Sequence, residues 1–572
     1  MLLGLDVGGT FTDAIVIDNG HIVQSHKCRT TKPNLMDGIE AALAGVAQAI
    51  EPSKVTRITL STTIVTNALV MNQVEPVDLY IIPGPGMDIR PLLPVEPIVL
   101  SGYTDHRGSL AAPLKPKELE ALSGAKRHKR AAVSAKFAVR NPSLEQNLVD
   151  SLQKAGYKSV SAGAQLSGAL NFPRRTISAY FNSVVQSTFQ GFATAVQQAL
   201  HRYGLTAPVY ILKADGGSLP LAHMQACPVE TAFTGPAASV LGMVALQSMP
   251  KEMTVALDMG GTTTDISLWQ GGKPLMARGG AMIQQYPSAV RSFAVSSVGI
   301  GGESAVTLND KGQLQVGPER VGPSMALGGT VPTLGDALIV LGKAQYGDVA
   351  KAWAGLSELA KAWQGSELRP SEVSRFEGGL SETKVDSLTL ALAKQVVTRA
   401  VTVITDGLAT AIGRENKLPV YVVRDIVEPH IFKPQQLVAV GGTAASLAPF
   451  VAEALDLPLE IPANAPVANA VGAAVAKETL MITVHLDTAK GVLVVPELGI
   501  HEKHKGLHAA SEVEALALQY VKQEAERLGL SNAAEGHIVA VEDVPIIEGW
   551  QSMHRLITVK AQLEPGVSLY VK

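Results

Sequence analysis

Cysteine is nearly missing: Cys28 and Cys227 are the two thiols in 572 residues. So few exclude a disulfide framework or a thiolate-held metal cluster, and they point to a reducing cytoplasm. An excess of charge is missing as well. A net charge of −3 gives no electrostatic case for nucleic acid or an anionic membrane. The basic run of Lys115, Lys117, Lys126, Arg127, Lys129 and Arg130 has no interleaved aromatics and reads as solvated surface. No leader-like start is expected, since Asp6 interrupts the first apolar run. The longest mostly apolar stretch, Thr234 to Met249, is broken by Gly235, Pro236 and Gly242 and is too short to span a bilayer. What is plentiful is apolar material, 46% hydrophobic against 17% charged, enough for several buried cores.

One stretch occurs twice. Leu5-Asp6-Val7-Gly8-Gly9-Thr10-Phe11-Thr12-Asp13 returns as Leu257-Asp258-Met259-Gly260-Gly261-Thr262-Thr263-Thr264-Asp265, and seven of eleven residues are identical between Leu5–Ile15 and Leu257–Ser267. Apolar runs flank each copy, so each reads as strand, Gly-Gly-Thr turn, strand. Two copies imply two similar half-molecules facing each other. Paired glycines let backbone N–H groups approach an anion and are expected to accept positive φ, which makes phosphate the natural occupant. The Thr10 and Thr262 hydroxyls add donors, with Thr12 and Thr263 beside them. Asp6 and Asp258, at the strand ends, cannot take phosphate directly and are read as holding Mg²⁺ through water. A plain β-hairpin turn is the alternative for one copy alone.

These loops resemble the two phosphate loops of the actin, heat-shock chaperone and sugar-kinase superfamily. Within it the chain resembles the hydantoinase A, 5-oxoprolinase and acetone carboxylase β-subunit family. The resemblance rests on the opening LLGLDVGGTFTDAIVID, Thr62 to Ala68, Val139-Arg140-Asn141-Pro142 with Glu145, and Arg174-Arg175-Thr176 with Asn182. It continues through Asp215-Gly216-Gly217, Thr234 to Ala237, ALDMGGTTTDIS, Gly299 to Ser304 and Val316 to Glu319. It implies an α/β fold of two duplicated actin-like, ribonuclease-H-like lobes around a nucleotide cleft. The expected organisation is residues 1–245 for the first lobe, 246–484 for the second and 485–572 for a small α+β appendage.

The resemblance implies ATP and Mg²⁺ as cofactors, and hydrolysis of a cyclic amide of the hydantoin, oxoproline or lactam type by phosphorylation of its carbonyl oxygen. It also implies a hydantoinase B-type partner subunit, and self-association stays open. Alternatives are a carboxylase subunit of the acetone carboxylase type, or an ATP-binding module without the family's reaction. Three departures stand out: Leu60 where relatives usually carry His, the turn Pro83-Gly84-Pro85-Gly86, and Glu303 in place of a glycine.

Other expectations come from local pattern. Asp215, in an Asp-Gly-Gly turn, is a candidate to orient water or hold a metal, against a common turn signal. Ser61-Thr62-Thr63 and Thr234 are read as helix caps. Gly301 and Gly302 are placed beside the phosphate cleft, and Gly441 and Gly442, closing a strand, against the adenosine. Asn469 to Ala474 is read as an interdomain helix of small residues. Strands are expected at Leu418–Val423 and helices at Ile177–Tyr203 and Ser387–Ile412.

Overall fold

The protein is described from a computed structural model, which covers all residues except 31–34, 87, 364–381, 418–430, 505 and 549–551. The strand expected at Leu418–Val423 lies outside the described residues.

Two sheets share one strand order. In the first, Ser218–Pro220, Val209–Leu212, Arg57–Thr62, Leu2–Val7, Phe11–Asp18 and His21–Arg29 lie side by side. In the second the order is Lys273–Pro274, Thr264–Gln270, Thr254–Met259, Gln436–Val440 and Leu459–Glu460. Val295–Val298 also pairs along Thr264–Gln270, extending the outer strand position held by Lys273–Pro274. Each central strand runs antiparallel to its hairpin partner and parallel to the later strand. Both central strands are near-continuous apolar runs, LLGLDV and TVALDM, as strands covered on both faces require. The duplicated lobes expected from the repeat are therefore present.

A parallel four-stranded sheet of Ser159–Ala162, Arg130–Ala135, Asp78–Ile82 and Ile98–Val99 is built from chain between Arg57–Thr62 and Val209–Leu212. The 31-residue helix Phe172–Arg202 packs on it. This helix starts five residues before the expected Ile177, because the Asn171 side chain accepts the Arg174 N–H at 3.2 Å and Pro173 sits in the first turn.

The C-terminal region is a five-stranded antiparallel sheet, ordered Ile500–Lys503, Val492–Val495, Met481–Asp487, Ser552–Leu563, Gly536–Glu548, with helix Ala510–Arg527 against it. Its strand Met481–Asp487 runs across residue 485, where the sequence reading began this region. Its inner face joins the first lobe's core, since Ile482, Val484 and Leu563 belong to one buried cluster with Leu3, Leu5 and Ile211.

In the second lobe, helix Glu382–Asn416 exceeds the expected Ser387–Ile412 at both ends. Its stretch Asp386–Asn416 is long and apolar enough by composition to cross a membrane. Its apolar face is nonetheless packed, with Leu392, Val396, Ile404 and Leu408 buried in the lobe's core.

Two helices join the lobes, Thr234–Leu246 and Ala468–Val475. Their small residues permit near contact of backbones. A Cβ on Gly472 would fall 1.9 Å from the Ala238 carbonyl oxygen, and one on Gly242 would fall 2.1 Å from that of Ala468. Gly4 admits the same helix against the central strand, where a Cβ would meet the Ala470 oxygen at 2.2 Å.

Candidate functional site

The two hairpins are built alike. Gly8 N–H donates to the Phe11 carbonyl at 3.0 Å and Gly260 N–H to that of Thr263 at 3.0 Å. Asp6 lies across from Asp13, and Asp258 from Asp265. The tips then meet: the hydroxyls of Thr10 and Thr262, 252 residues apart, are 2.7 Å from one another. Two lobes with the same order, each ending in the same turn, converge on one point.

The glycines do not work as expected from the sequence. None of Gly8, Gly9, Gly260 and Gly261 has positive φ. Close approach decides instead: a Cβ on Gly8 would stand 2.9 Å from the Phe11 oxygen. A Cβ on Gly9 would meet nothing within 4 Å, so that backbone faces open space. Gly301 and Gly302 lie directly against the second hairpin. A Cβ on Gly301 would come 2.6 Å from Thr262 N, and one on Gly302 2.7 Å from Thr443 Oγ1. Gly302 N–H also donates to the Gly260 oxygen at 3.0 Å. At Gly441, φ is +98° and a Cβ would fall 2.5 Å from Asp258 Oδ1, which only glycine tolerates. Gly442 faces open space. Thr443 ties this turn to the hairpin, its hydroxyl donating to the Gly260 oxygen at 3.1 Å.

Thus Asp6, Gly8, Gly9, Thr10, Asp258, Gly260, Gly261, Thr262, Gly301, Gly302, Gly441 and Gly442 line one locus, with Thr263 exposed on the hairpin. Thr12 points inward: it is fully buried and its hydroxyl meets that of Thr30 at 3.0 Å. Asp215 stands elsewhere. It pairs with Lys213 at 3.3 Å, accepts from Gly217 N–H at 3.0 Å, and lines a 440 Å³ cavity that no hairpin residue borders.

The expected caps also do other work. The Thr63 side chain does not cap the helix that follows it but donates to the Val7 oxygen at 3.2 Å, while the Thr62 hydroxyl accepts the Ile64 N–H at 3.2 Å. Thr234 begins its helix behind Phe233, whose φ is +64°, and its hydroxyl bridges Thr62 N and O at 3.0 and 2.7 Å. Thr63 and Thr234 stitch strand ends beside the first hairpin, because at a crossing of buried strands those backbone groups otherwise lack partners.

Electrostatically the locus is crowded with carboxylates. Burial, then the charge of Asp13, pushes Asp6 up to about 7, and Asp258 adds to it. Burial and Asp258 likewise push Asp265 up to about 7. Burial raises Asp258 despite hydrogen bonds from Asn469 and Ser239. Asp6 Oδ1 and Ser61 Oγ are buried and meet no hydrogen-bond partner. A divalent cation would relieve both the repulsion and the orphaned oxygen, so the residues fit Mg²⁺ held by Asp6 and Asp258. Among the described residues no three His, Cys, Asp or Glu side chains form a ready-made metal cage.

The sequence reading missed a set of cations on the third strand. Lys27 lies across from Asp13 and grips its carboxylate with both contacts at 2.7 Å. Arg29 lies across from Phe11 and reaches Glu303 of the other lobe at 3.2 Å. Glu303 is 5% exposed and also holds Arg320 at 2.6 Å through Nε. The glutamate that replaces a glycine is therefore the centre of a clasp between the lobes, beside Gly261, where its Cγ would touch an added Cβ at 3.7 Å. Counting register from Asp13 along HKCR was the available signal. Asn469, which donates to Asp258 at 3.1 Å, was read only as part of a hinge helix. Of the other departures, Leu60 is wholly buried core, and Pro83–Gly86 forms the turn after the Asp78–Ile82 strand of the parallel sheet.

Comparison with known proteins gives the family and the fold. The family pattern described as Hydantoinase/oxoprolinase matches residues 175–481, and its N-terminal region matches residues 2–156. Caprolactamase subunit alpha of Pseudomonas jessenii is 27% identical over 377 residues, covering 59% of this chain and 54% of that protein. Acetophenone carboxylase gamma subunit of Aromatoleum aromaticum is 25% identical over 392 residues, covering 59% and 53%. The chain thus spans about half the length of these relatives in the matched alignments. A nucleotide-free acetone carboxylase structure superposes with TM-score 0.66 at 16% identity, covering 99% of this chain and 88% of that one. The ATP-dependent caprolactamase of Pseudomonas jessenii superposes with TM-score 0.66 at 18% identity, covering 98% and 87%.

Proposed function

This chain belongs to the hydantoinase/oxoprolinase family, and from that premise we propose that it uses ATP to phosphorylate the carbonyl oxygen of a cyclic amide. The observation that carries the reading is the 2.7 Å meeting of Thr10 and Thr262 at the tips of two hairpins that share the same Gly-Gly-Thr turn. A polyphosphate entering the cleft parts that contact and takes both hydroxyls and the Gly9 and Gly261 backbone as its cradle.

Amide resonance makes a lactam resist water. Attack of its carbonyl oxygen on the γ-phosphorus breaks the bond to ADP and leaves an imidate phosphate, from which resonance stabilisation is gone. Water then adds to the ring carbon, the C–N bond breaks with the proton passing to nitrogen, and a second water releases phosphate. Lactam, ATP and two waters give amino acid, ADP and phosphate. The protein's share is alignment and charge neutralisation. Gly8–Thr10 and Gly260–Thr262 hold phosphates, Gly441 and Gly442 let the nucleoside lie against backbone, and Asp6 and Asp258 would hold Mg²⁺, which would supply neutralisation of phosphate charge. Lys27 pairs with the Asp13 carboxyl beside them and offsets part of the upward push that burial gives it.

The relatives are named as subunits, so the ring-opening steps are assigned to a complex with a second, hydantoinase B-type subunit. We propose a cytoplasmic setting, for which the support is the scarcity of cysteine in the sequence. Phosphate release should be measured with hydantoins, 5-oxoproline, lactams and ketones, with and without a co-purified partner. Stimulation by a lactam or hydantoin is expected. Stimulation by ketones alone would move the reading to a carboxylase. ATP binding with no stimulation by any of them would refute catalysis by this chain.

A further inference from the structure

The 440 Å³ cavity containing Asp215 is not absorbed by that reading. It lies where three parts of the chain meet. Lys213 and Asp215 come from the end of the first lobe's Val209–Leu212 strand, and Arg291 comes from a second-lobe loop. Thr479 precedes the C-terminal sheet, and Glu524 lies on its helix. Cavities of this size at such junctions are where small ligands bind.

Its walls carry both signs of charge in buried positions. Lys213 and Asp215 are each 7% exposed. Against the effect of burial, Lys213 and Arg291 hold the Asp215 carboxyl below its ordinary range, while Asp215 and Glu230 hold the Lys213 ammonium above its own. Both therefore stay ionised.

The pairing is unequal at two ends. Lys213 is shared between Asp215 at 3.3 Å and Glu230 at 3.5 Å, which leaves surplus negative charge. Arg291 meets neutral partners, the Gln562 side-chain oxygen and, at 3.1 Å, the Met481 sulfur, and among the described residues makes no ion pair with a carboxylate. Thr479, 1% exposed, borders the cavity but packs its hydroxyl onto Gly217, where an added Cβ would lie 1.6 Å from it. A part-buried guanidinium without a carboxylate favours one from a ligand, and the Asp215–Glu230 end favours an ammonium.

We infer that this cavity binds a small amino-carboxylate, its carboxylate on Arg291 and its ammonium beside Glu230 and Asp215. An amino acid is also what opening a lactam releases, so the cavity would hold the product; that last step alone rests on the function proposed above. The chemistry excludes nucleotides, which carry no ammonium.

Calorimetric titration of the full chain with 6-aminohexanoate, 5-aminopentanoate and glutamate should give binding at least tenfold tighter than hexanoate or hexylamine, since each charged end adds a charge-assisted hydrogen bond. Arg291→Gln should lower the affinity for the zwitterions about tenfold or more and leave that for hexylamine unchanged. Glu230→Gln should lower the affinity for the zwitterions and for hexylamine severalfold and leave that for hexanoate unchanged. Absence of zwitterion binding at millimolar concentration, or equal binding by wild type and a folded Arg291→Gln, overturns the inference. So does equal affinity for hexylamine and 6-aminohexanoate. ATP binding, titrated separately, tells the two proposals apart. Zwitterion binding without lactam-stimulated phosphate release keeps the cavity and sinks the reaction, and the converse sinks the cavity.

Discussion

Asp6→Asn should make the metal-free protein more stable while removing its Mg²⁺-dependent grip on ATP. Asp6 is 6% exposed, and burial with its acidic neighbours raises its carboxyl from 3.8 to about 7. A carboxyl raised in the folded state binds more protons folded than unfolded, so stability falls as pH climbs from about 4 to about 7 and is constant above. The displacement corresponds to about 4 kcal/mol of destabilisation at pH 8 and under about 2 kcal/mol at pH 5. Asparagine removes the charge at nearly constant shape, and its amide can donate to Asp13 or Ser61; imperfect pairing would take back about 1 kcal/mol. Chemical denaturation with chelator should therefore show the variant about 3 kcal/mol more stable at pH 8, with most of that gain lost at pH 5. Calorimetry with ATP, with and without Mg²⁺, should show the metal-dependent part of binding gone. A variant less stable than wild type at pH 8, or a gain equal at both pH values, refutes the electrostatic account. Undiminished Mg²⁺-dependent affinity refutes Asp6 as a ligand.

Glu303→Gln leaves Arg29 and Arg320 facing each other without their shared carboxylate. Because both arginines are partly exposed, the loss should be about 1–2 kcal/mol rather than the larger cost of a fully buried pair, with wider lobe separation seen by solution scattering. Gly472→Ala forces a Cβ to within 1.9 Å of the Ala238 oxygen, so thermal unfolding should show destabilisation of about 3 kcal/mol or more and weaker ATP binding as the lobe-joining helices part. His485, buried in the C-terminal sheet, is depressed by burial and by nearby Arg140 to about 4. A histidine kept neutral when folded confers no penalty above pH 6.5, and stability is lost as pH falls from about 6.5 to about 4, by about 3 kcal/mol in all. His485→Gln should flatten that part of the acid-stability profile, and an unchanged slope between pH 6 and 4.5 would exclude His485 as its source.

The sequence by itself determined the duplication, because identical turns between apolar strands leave one local geometry, and the apolar runs LLGLDV and TVALDM can lie only in sheet interiors. It also determined which glycines gather, since Gly301, Gly302 and Gly441 lie where a Cβ would strike the hairpin or Asp258. The reason assigned to the hairpin glycines was different from the one found: nearness of backbone to backbone, not left-handed φ, and nearness is a property of the folded contact. Lys27 and Arg29 were missed because their importance comes from cross-strand register with Asp13 and Phe11, which shows only when residues are counted outward from the Asn19-Gly20 turn. Glu303 looked like a lost glycine until Arg29 and Arg320, 274 residues before it and 17 after, were brought to its carboxylate. Asp215 had the right turn and went to a different cavity, because a two-residue signal says where the chain bends and nothing of what faces it. Only the packing of the C-terminal sheet onto the first lobe made that cavity, since its walls come from segments hundreds of residues apart whose charges meet in tertiary space.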